Sequence, residues 1–568
     1  MYAVLSATRD GASVQLMGRD LQPVGPPDVT DRDGLPSLVH SLNDRRTADS
    51  PTSLRWVWAD TTRWYPSLLA AGLRIERCHD LRLTRRIIRG SSLTADSHLA
   101  GRGEDHWDRA TPASPPAAAP EALFDAPDDT FGGLAFADVD VLGEFAAQQD
   151  AISGSPSPRR LSMLVAAESA GALIAAEMSH AGLPWSAQLH DAVLTEALGP
   201  RPRLGDRPAI LEDVRIEVAQ ALGNPSLNPD SATSLLRALR EAGLDVESTR
   251  SWELQRIEHP AIEPLLRYKK LSRLMTANGW AWCDAWVRDG RFRPDYVVGG
   301  VVTGRWATSG GGALQIPHQI RRAVVADPGW TFVVADAAQV EPRVLAGMAR
   351  DEAMAAAGQG GDLYSGIVAT SALSTREEAK LALLGAMYGA TTGASADLMP
   401  HLRRAFPTAI EYVAAAAAAG ERRESVMTWW GRTSPQPGAW PTQESAARTA
   451  GRSWGRFTRN FVVQGSAAEW AMSWMAILRG QLSTLTLADR PDAGAIAPGA
   501  APAPFGNHPH LVFFVHDEIV VHTPIECAGE VADLVRDAAT AAGHLMFGDF
   551  AVDFPLSVAV VDCYADGK

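Results

Sequence analysis

Cysteine is scarce in this chain of 568 residues, which contains only four, far apart in the sequence. No two of them have the Cys-x-x-Cys spacing of a zinc or redox site, and so few in so long a chain do not form a disulfide framework. Residues 1–11 lack the basic start and apolar run of a secretory signal. The longest apolar run, residues 412–419, is too short to span a membrane. The sequence therefore predicts a cytoplasmic protein with no membrane partner, and we expect a monomer.

An excess of positive charge is also missing, because the formal net charge is −14. This average argues against a protein coated in nucleic acid. It does not exclude a local basic groove, since individual arginines and lysines make the contacts with phosphates. The length and the 46% hydrophobic content fit a globular protein with several domains.

Composition and periodicity divide the chain into regions. Residues 1–100 mix short strand-like and helix-like runs, including a strand at residues 54–58 that ends at Ala59-Asp60. Residues 101–130 are rich in Ala, Pro and Asp, which predicts a flexible linker. Helical patterns dominate up to about residue 290, and apolar strands follow at residues 330–335, 511–515 and 519–521. A long helical insertion, roughly residues 360–480, separates the first of these strands from the other two.

Two aspartates lie at the ends of these strands. Asp336 ends one strand, and Asp517 sits at the bend of a predicted hairpin. Carboxylates at one edge of a sheet can hold two divalent ions about 3.5–4 Å apart, one for the attacking and one for the leaving oxygen. Mg²⁺ suits such a site, and Mn²⁺ also fits. An aspartate after a strand is more often a simple turn or cap residue, so neither position is specific alone.

Three further elements carry polar groups at regular spacing. Arg376, Lys380, Leu384 and Tyr388 recur every four residues, which places them on one helix face suited to a triphosphate and a base. Thr303-Gly304-Arg305 precedes a glycine-rich turn. A third set repeats every four residues along an apolar helix, a spacing suited to minor-groove contact; its members are Arg456, Asn460 and Gln464-Gly465. Each element alone is also compatible with a solvated or capping role.

The order of these elements resembles the polymerase portion of bacterial DNA polymerase I, known as family A. The segment from Asp336 to Arg343 (DAAQVEPR) is similar to the family's D-Y-S-Q-I-E-L-R motif. The spacing of Arg376, Lys380, Leu384 and Tyr388-Gly389 is similar to R-x-x-x-K-x-x-x-F-x-x-x-Y-G, and residues 515–518 match V-H-D-E. The similarity runs from about Leu161 to the C-terminus.

The resemblance implies a role for each matched residue. Asp336 and Asp517 hold the metal ions, with the Ala337 carbonyl as a third ligand, and Lys380 is the catalytic cation. The incoming dNTP is bound by a set that includes the 2′-blocking Glu341: Arg376, Lys380, Leu384, Tyr388, Gln339, Glu341 and Tyr364. Primer–template DNA is bound by Arg305, Arg456, Asn460, Gln464, His516, Lys269 and Lys270.

The fold class that the resemblance implies is α+β and multidomain. A right-hand polymerase with an antiparallel palm sheet, helical fingers and a helical thumb follows a small α/β domain of the RNase H-like exonuclease type. We place the exonuclease-like domain at residues 1–100 and the connecting segment at 101–160. The polymerase domain is placed at 161–568, with the thumb at about 220–285, the palm at about 290–360 and 490–568, and the fingers at about 361–489.

The chain departs from the family at several positions. Leu384 replaces the fingers aromatic, Tyr364 replaces a histidine, and Pro342 replaces a leucine, which is tolerable in a first helical turn. The exonuclease motif Asp-x-Glu is missing after the strand at 54–58, and Asp138-Val-Asp140 also lacks the glutamate. We expect an inactive exonuclease-like domain.

Two other functions stay open from the sequence. A single-subunit RNA polymerase shares palm aspartates and a Lys/Tyr helix, although Glu341 argues against it. A DNA-binding scaffold with a decayed active site is the second alternative. Retention of facing carboxylates argues against decay, since they repel one another without a cation. The sequence thus favours a cytoplasmic, nucleoid-associated DNA polymerase.

Overall fold

The structure is a computed structural model that describes residues 1–49, 54–108, 139–203, 205–389, 394–485 and 499–567. Residues 109–130 of the stretch predicted as a linker, and Asp138, lie outside these ranges. Residues 101–108 of that stretch are described and include the buried Trp107, so the linker prediction is wrong for them. The chain divides into two compact units. Unit 1 comprises residues 1–181, 295–309 and 328–560, and unit 2 comprises residues 182–294, 310–327 and 561–568. The predicted subdomain boundaries stay a prediction.

The strands in the described residues, in chain order, are β1 Tyr2–Thr8, β2 Gly11–Met17, β3 Asp28–Asp31, β4 Arg55–Trp58, β5 Arg77–Asp80, β6 Leu183–Pro184, β7 Val287–Arg288, β8 Arg291–Phe292, β9 Asp295–Val297, β10 Ala307–Gly310, β11 Trp330–Ala337, β12 His510–Val515, β13 Glu518–Pro524 and β14 Leu556–Val561.

The α-helices in the same residues are α1 Leu35–Asp49, α2 Thr61–Ala70, α3 Leu81–Gly90, α4 His98–Gly101, α5 Val141–Ser153, α6 Pro158–Ala181, α7 Ala187–Leu198, α8 Ala209–Ala221, α9 Ala232–Glu241, α10 Ser251–Leu254, α11 Ile262–Asn278, α12 Trp280–Trp286, α13 Val340–Ala349, α14 Glu352–Gly358, α15 Leu363–Thr370, α16 Arg376–Tyr388, α17 Ala394–Ala405, α18 Pro407–Glu421, α19 Glu444–Thr484 and α20 Ala528–Phe547.

The N-terminal part of unit 1 is a five-stranded sheet in the order β3-β2-β1-β4-β5. The first three strands pair antiparallel, and β1, β4 and β5 pair parallel. The sheet is therefore mixed, and helices α2 and α3 follow β4 and β5; the RNase H-like exonuclease type stays a prediction. The strand predicted at 54–58 is β4, but the sheet is centred on β1, whose sequence YAVLSAT contains no carboxylate.

The aspartates that follow β4 and end β5 cap helices. The Asp60 carboxylate accepts the Thr62 N–H at the start of α2, and Asp80 accepts the Leu83 N–H at the start of α3. Asp80 also accepts both the N–H and the hydroxyl of Thr61 at 2.7 Å. Burial, followed by the charge of Asp60, raises the pKa of Asp80 to about 7. Both carboxylates therefore act as helix N-caps, and Asp80 also binds Thr61.

The connecting segment contains more regular structure than the sequence predicted. Residues 141–153 form α5, and Asp140 is its N-cap, accepting the Gly143 N–H at 2.8 Å. The fully buried Arg85 of α3 binds Glu144 of α5 as well as Asp105 and Asp108. An ion-pair network therefore fixes both described ends of the segment to α3.

The second sheet of unit 1 has the order β12-β13-β11-β14, and β13 pairs antiparallel with both β11 and β12. Three of its four strands, β11, β12 and β13, match the predicted apolar runs, and every side chain of β12 and β13 is buried. His516 and Asp517 form the turn between them, with His516 at φ +55°. Helices α13 to α19 lie between β11 and β12, as predicted for the helical insertion.

Unit 2 combines helices α7 to α12 with the small sheet β6-β8-β7. Its core includes a cluster of rings formed by Trp185, His190, Trp282 and Phe292. Helix α11 carries Lys269 and Lys270, of which Lys270 is exposed, and burial lowers the pKa of Lys269.

Helix α6 is a core helix of unit 1. It is long and apolar enough to cross a membrane, but 72% of its most apolar 18-residue segment is buried inside the protein. Its Glu177 is buried and binds three partners: the Tyr65 hydroxyl at 2.5 Å, Arg479 of α19 at 2.6 Å, and Arg74 at 3.2 Å. Burial would raise the pKa of Glu177, but the two guanidinium groups outweigh it and lower that pKa to about 2.

We predict that Glu177→Gln lowers the free energy of unfolding by about 3–5 kcal/mol at neutral pH, since it leaves the buried Arg479 without its counter-charge. The pKa of Glu177 is lower in the folded than in the unfolded state, so the wild-type advantage is present above about pH 4.5. That advantage is lost as the pH falls toward 2. Urea titrations at several pH values measure it.

The exposed Glu196, which pairs with the exposed Arg322, provides the control. Glu196→Gln is expected to leave the unfolding curve unchanged, because exposed pairs contribute little. Equal stabilities of wild type and Glu177→Gln at neutral pH would contradict a stabilising role for the buried cluster.

Candidate active site

The two aspartates singled out in the sequence meet at one end of the second sheet. Asp336 lies next to the end of β11, and Asp517 lies in the turn between β12 and β13. The Ala337 N–H donates to the Asp517 carbonyl at 2.9 Å. Asp336 is also paired in register with the buried Glu518 of β13. The antiparallel register thus brings Asp336, Asp517 and Glu518 to the same end of the sheet. Sequence reasoning did not single out Glu518.

This edge of the sheet is electrostatically costly. Burial, helped by the charges of Glu341 and Asp336, raises the pKa of the Asp517 carboxyl to about 6 against the opposing effect of Arg305. Because these carboxylates repel one another in a poorly hydrated place, they would be stabilised by a cation.

Glu341, in the first turn of α13, joins three elements around this edge. It accepts hydrogen bonds from the Arg305 guanidinium and from the Tyr388 hydroxyl, the latter at 2.5 Å. Gln464 of α19 hydrogen-bonds the same hydroxyl. Burial and the bond to Glu341 raise the pKa of Tyr388 to about 12, so that hydroxyl stays protonated and donates. Pro342 lies in this first turn, as the sequence predicted.

Arg305 is positioned by the glycine before it. Gly304 has φ +89°, and a Cβ there would lie 2.5 Å from the Nε of the buried Arg432. Arg432 in turn pairs with the buried Glu168 of α6. Only glycine allows both this backbone conformation and this approach to a buried ion pair. The sequence therefore needs Gly304 to hold Arg305 beside Glu341.

The four predicted residues of the fingers helix share one face of α16. Arg376, Lys380 and Tyr388 are exposed and Leu384 is half-buried. The opposite face is buried and consists of Ala379, Ala382, Leu383, Ala386 and Met387. A capping box between Thr375 and Glu378 starts the helix immediately before Arg376. The period of four in the sequence is thus realised as a single exposed stripe.

Arg376 is held by residues outside its helix. Its guanidinium makes two bonds to Asp362, at 2.9 and 3.1 Å, and lies 5.4 Å from the centre of the Tyr364 ring. Gln339 also donates to Asp362. Although burial opposes it, these bonds and those from Ser365 lower the pKa of Asp362. Tyr364, which brings no charge, therefore still positions Arg376 through its ring.

Arg343 is a second residue that sequence reasoning did not single out. It is buried and donates to the carbonyl oxygens of Gly358 and Gly361 and to the carboxylate of Asp553. Gln339 accepts the Leu363 N–H at 2.9 Å. Together these bonds fix the loop before α15, which carries Asp362. The only sequence signal for Arg343 was its place at the end of the first motif.

The remaining predicted residues lie in three places. Arg456, Asn460 and Gln464 all lie on α19, where the Arg456 side chain packs against Gly389 at the end of α16. His516 is exposed in the turn beside Asp517. Lys269 and Lys270 belong to unit 2.

The carboxylates do not form a closed metal cage. In the described part of the chain, no three His, Cys, Asp or Glu side chains are gathered closely enough to hold a metal alone. The oxygen donors at this edge suit Mg²⁺, which takes one or two carboxylates and completes its shell with water and phosphate oxygens. The same ion would also offset the repulsion between Asp517 and the neighbouring carboxylates.

The chain is similar in sequence to known DNA polymerases. The model of DNA polymerase family A matches residues 211–564, more than half of the chain. DNA polymerase I of Chloroflexus aurantiacus is 28% identical over 350 residues, 57% of this chain and 34% of that protein. The thermostable DNA polymerase I of Thermus filiformis is 26% identical over 393 residues, 62% of this chain and 43% of that protein. The alignments thus cover less than half the length of these relatives.

The fold is similar to a solved structure described as the POL domain of Pol1 from M. smegmatis in complex with DNA primer-template and dNTP. The similarity covers 100% of this chain and 96% of that one, with a TM-score of 0.68 and 18% sequence identity. It confirms the predicted α+β polymerase fold. The family match begins at residue 211, later than the predicted start near Leu161. Because it nevertheless spans more than half of the sequence, the chain belongs to DNA polymerase family A.

Proposed function

We propose that this protein is a DNA-templated DNA polymerase that extends a primer 3′ end with dNTPs by two-metal nucleotidyl transfer. The observation that carries the proposal is the meeting of Asp336 and Asp517 at one sheet edge, with the pKa of Asp517 raised to about 6. Divalent cations would relieve the repulsion that remains there after the opposing effect of Arg305. Such an edge suits phosphoryl transfer.

Asp336 and Asp517 are the proposed metal ligands, with the Ala337 carbonyl as a third, and Mg²⁺ or Mn²⁺ fits this oxygen set. When bound, the two ions would lower the barrier by activating the attacking 3′ oxygen and stabilising charge on the leaving pyrophosphate. The absence of a complete cage in the described residues agrees with a site that substrate phosphates and water complete.

The exposed stripe of α16 is the proposed binding face for the incoming nucleotide. Arg376 and Lys380 are one turn apart, so both can contact one triphosphate and neutralise its charge. Gln339 and Tyr364 act by holding Asp362 and Arg376 in place. Leu384 and Tyr388 provide the surface under the nascent base pair. The half-buried Leu384 offers no ring to stack on the sugar, so we expect weaker nucleotide affinity than an aromatic residue would give.

Glu341 is the proposed sugar discriminator. Its carboxylate is tied to Arg305 and to Tyr388, so it cannot swing away easily. A fixed carboxylate at the 2′ position leaves no room for a hydroxyl and discriminates against ribonucleotides.

The DNA contacts are also proposals. Arg305, Arg456, Asn460, Gln464 and His516 are the proposed contacts near the primer end. In unit 2 the exposed Lys270 and the half-buried Lys269 are proposed to bind the duplex backbone from the thumb, with the palm and fingers boundaries as predicted from the sequence. The solved complex with primer-template and dNTP supports this choice of partners. We further propose a monomer acting in the cytoplasm at the nucleoid.

The N-terminal domain is proposed to be an exonuclease-like domain without proofreading activity. Its central strand β1 contains no carboxylate to hold a metal. The nearby Asp60 and Asp80 are engaged as helix caps. The motif Asp-x-Glu would supply two metal-binding carboxylates on the central strand. Both are missing from β1.

Primer extension tests the main proposal. Wild type with Mg²⁺ is expected to extend a primer by the nucleotide that the template specifies. Asp517→Asn removes a metal ligand with little change in shape, so we expect a loss of about 100-fold or more in rate. Asp533→Asn on the surface of α20 is the control and should keep full activity. Equal, zero extension by wild type and Asp517→Asn would support the decayed-scaffold alternative.

Sugar selectivity tests Glu341 and the RNA polymerase alternative together. Glu341→Ala opens space at the 2′ position, so the preference for dNTPs over rNTPs should fall about tenfold or more. Glu341→Gln keeps the size and an acceptor for Tyr388, and should keep most of the preference. Single-turnover incorporation of each nucleotide class measures the ratio. Wild type that uses both classes equally would favour an RNA polymerase.

Proofreading is tested without dNTPs. A 3′-labelled mismatched primer incubated with Mg²⁺ is expected to keep its full length, because β1 has no metal-binding carboxylate. The Asp336→Ala variant serves as the control, since it disables the polymerase edge alone. Metal-dependent trimming that persists in Asp336→Ala would show that the N-terminal domain is an active nuclease.

A further inference from the structure

The loop that carries Arg305 is bound by a side chain from the N-terminal part of unit 1. Arg86, on α3, donates from its guanidinium to the Val298 carbonyl at 3.1 Å and to the Gly299 carbonyl at 2.9 Å. Part of the Arg86 side chain is exposed, and the two bonds are partly buried. Within the described ranges, no other side chain hydrogen-bonds the backbone of residues 298–304. None of the proposed roles uses this contact.

Gly299 is confined between Arg86 and a buried ion pair. It has φ +57°, and a Cβ there would lie 2.7 Å from Nη2 of Arg86 and 2.8 Å from Oε1 of Glu168. Glu168 pairs with Arg432. Burial, together with the charge of Arg86, lowers the pKa of Arg432 to about 10 against the opposing charge of Glu469. Arg86 therefore lies beside the same buried pair against which the far end of the loop packs.

The loop is closed by bonds within its own backbone. The Gly304 N–H donates to the Val301 carbonyl at 2.8 Å, and the Val301 N–H donates to the Arg305 carbonyl at 3.1 Å. These bonds leave few free dihedral angles between Gly299 and Arg305. A shift at Gly299 therefore moves Arg305 and weakens its bond to Glu341.

The end of α3 also contacts the segment that carries Arg432. The Ser91 hydroxyl donates to the Gly431 carbonyl at 2.9 Å, and the Ser92 N–H donates to the Thr433 hydroxyl at 2.9 Å. Arg432 lies between these two bonded residues. The N-terminal part of the chain thus reaches the loop by two routes, one direct and one through the buried pair.

We propose that Arg86 is a positioning residue for the polymerase reaction. By holding the loop at Gly299 it keeps Arg305 bonded to Glu341, and through Glu341 it contributes to the choice of dNTPs over rNTPs. The N-terminal domain then has a role in synthesis, although its central strand has no metal-binding carboxylate. This inference rests on the proposed polymerase function and on Glu341 as the sugar discriminator.

Single-turnover incorporation of dNTPs and rNTPs tests the role of Arg86. Arg86→Ala removes both bonds to the loop, so the preference for dNTPs should fall about threefold, less than the loss expected for Glu341→Ala. The fall should come from better use of rNTPs. The maximum rate with dNTPs should stay within about twofold of wild type, because Asp336, Asp517 and Lys380 are unchanged. A general loss of structure would instead slow both nucleotide classes equally.

A second arginine of the same helix provides the control. Arg89 donates to the Gly103 carbonyl and to Asp108, both in the N-terminal part of the chain. Arg89→Ala should therefore keep the wild-type preference for dNTPs. Arg86→Lys should keep most of that preference, since its ammonium group can donate to more than one carbonyl.

A double variant separates an effect through Glu341 from an independent one. In the Glu341→Ala background, Arg86→Ala is expected to cause no further loss of preference, because the group that it holds is already absent. A loss that adds fully to that of Glu341→Ala would overturn the proposal. Equal preferences of wild type and Arg86→Ala, or an equal loss in Arg89→Ala, would overturn it as well.

Hydrogen exchange separates the positioning role from the polymerase function. The Val301 and Gly304 N–H groups are bonded inside the loop. Arg86→Ala should speed their exchange about tenfold, whereas Arg89→Ala should leave it unchanged. Faster exchange in a protein whose wild type does not extend primers would reject the polymerase function and retain Arg86 as the residue that holds the loop. Unchanged exchange would overturn the positioning role even if wild type extends primers. Thermal melting of each variant checks that the fold is intact.

Discussion

The constraint on which the site depends is the gathering of carboxylates in a partly buried place. Asp336, Asp517 and Glu341 lie close enough for their charges to interact, and burial adds to the cost, so that the pKa of Asp517 rises to about 6. An unfolded chain would keep these groups apart in water. The fold holds them together through the register of β11 and β13. Because this register is a property of the backbone, the movement of one side chain does not change it. Arg305 offsets part of the repulsion.

Two buried ion pairs on α6 support this arrangement. Glu168 pairs with Arg432, against which the loop bearing Gly304 and Arg305 packs. Nine residues along the same helix, Glu177 pairs with Arg479 of α19. Buried pairs are rarely stabilising relative to apolar packing, but breaking one is costly, so they specify a single arrangement. Helix α6 thus ties the N-terminal sheet, α19 and the Arg305 loop together in one geometry.

Part of the fold and of the site could be predicted from the sequence, because some of their features depend on local residue patterns. The apolar runs that became β11, β12 and β13, the turn at Asp517 and the face of α16 depend on residues that are near one another in the chain. The bonds of Glu341 to Arg305 and Tyr388 span 36 and 47 residues, and no local pattern encodes them. Glu518 and Arg343 were missed for the same reason, since their surroundings are formed by distant strands and loops. In the N-terminal sheet, sequence reasoning considered the strand at 54–58 because an aspartate follows it. It did not consider the central strand β1, which contains no carboxylate.

The cations of the site differ in how firmly they are held, and this difference follows from exposure. Arg343 is buried and bound by backbone carbonyls and Asp553, so releasing it would leave several buried acceptors unsatisfied. Arg376 binds Asp362 through two bonds of ordinary length, but its side chain is 48% exposed and water screens the pair. An exposed pair of this kind exchanges one anion for another at little cost. Under the proposed function, Arg376 can therefore leave Asp362 for a triphosphate while Arg343 keeps the loop that carries Asp362 in place. A site built in this way stays ordered when its nucleotide is absent and still has a cation available when the nucleotide arrives.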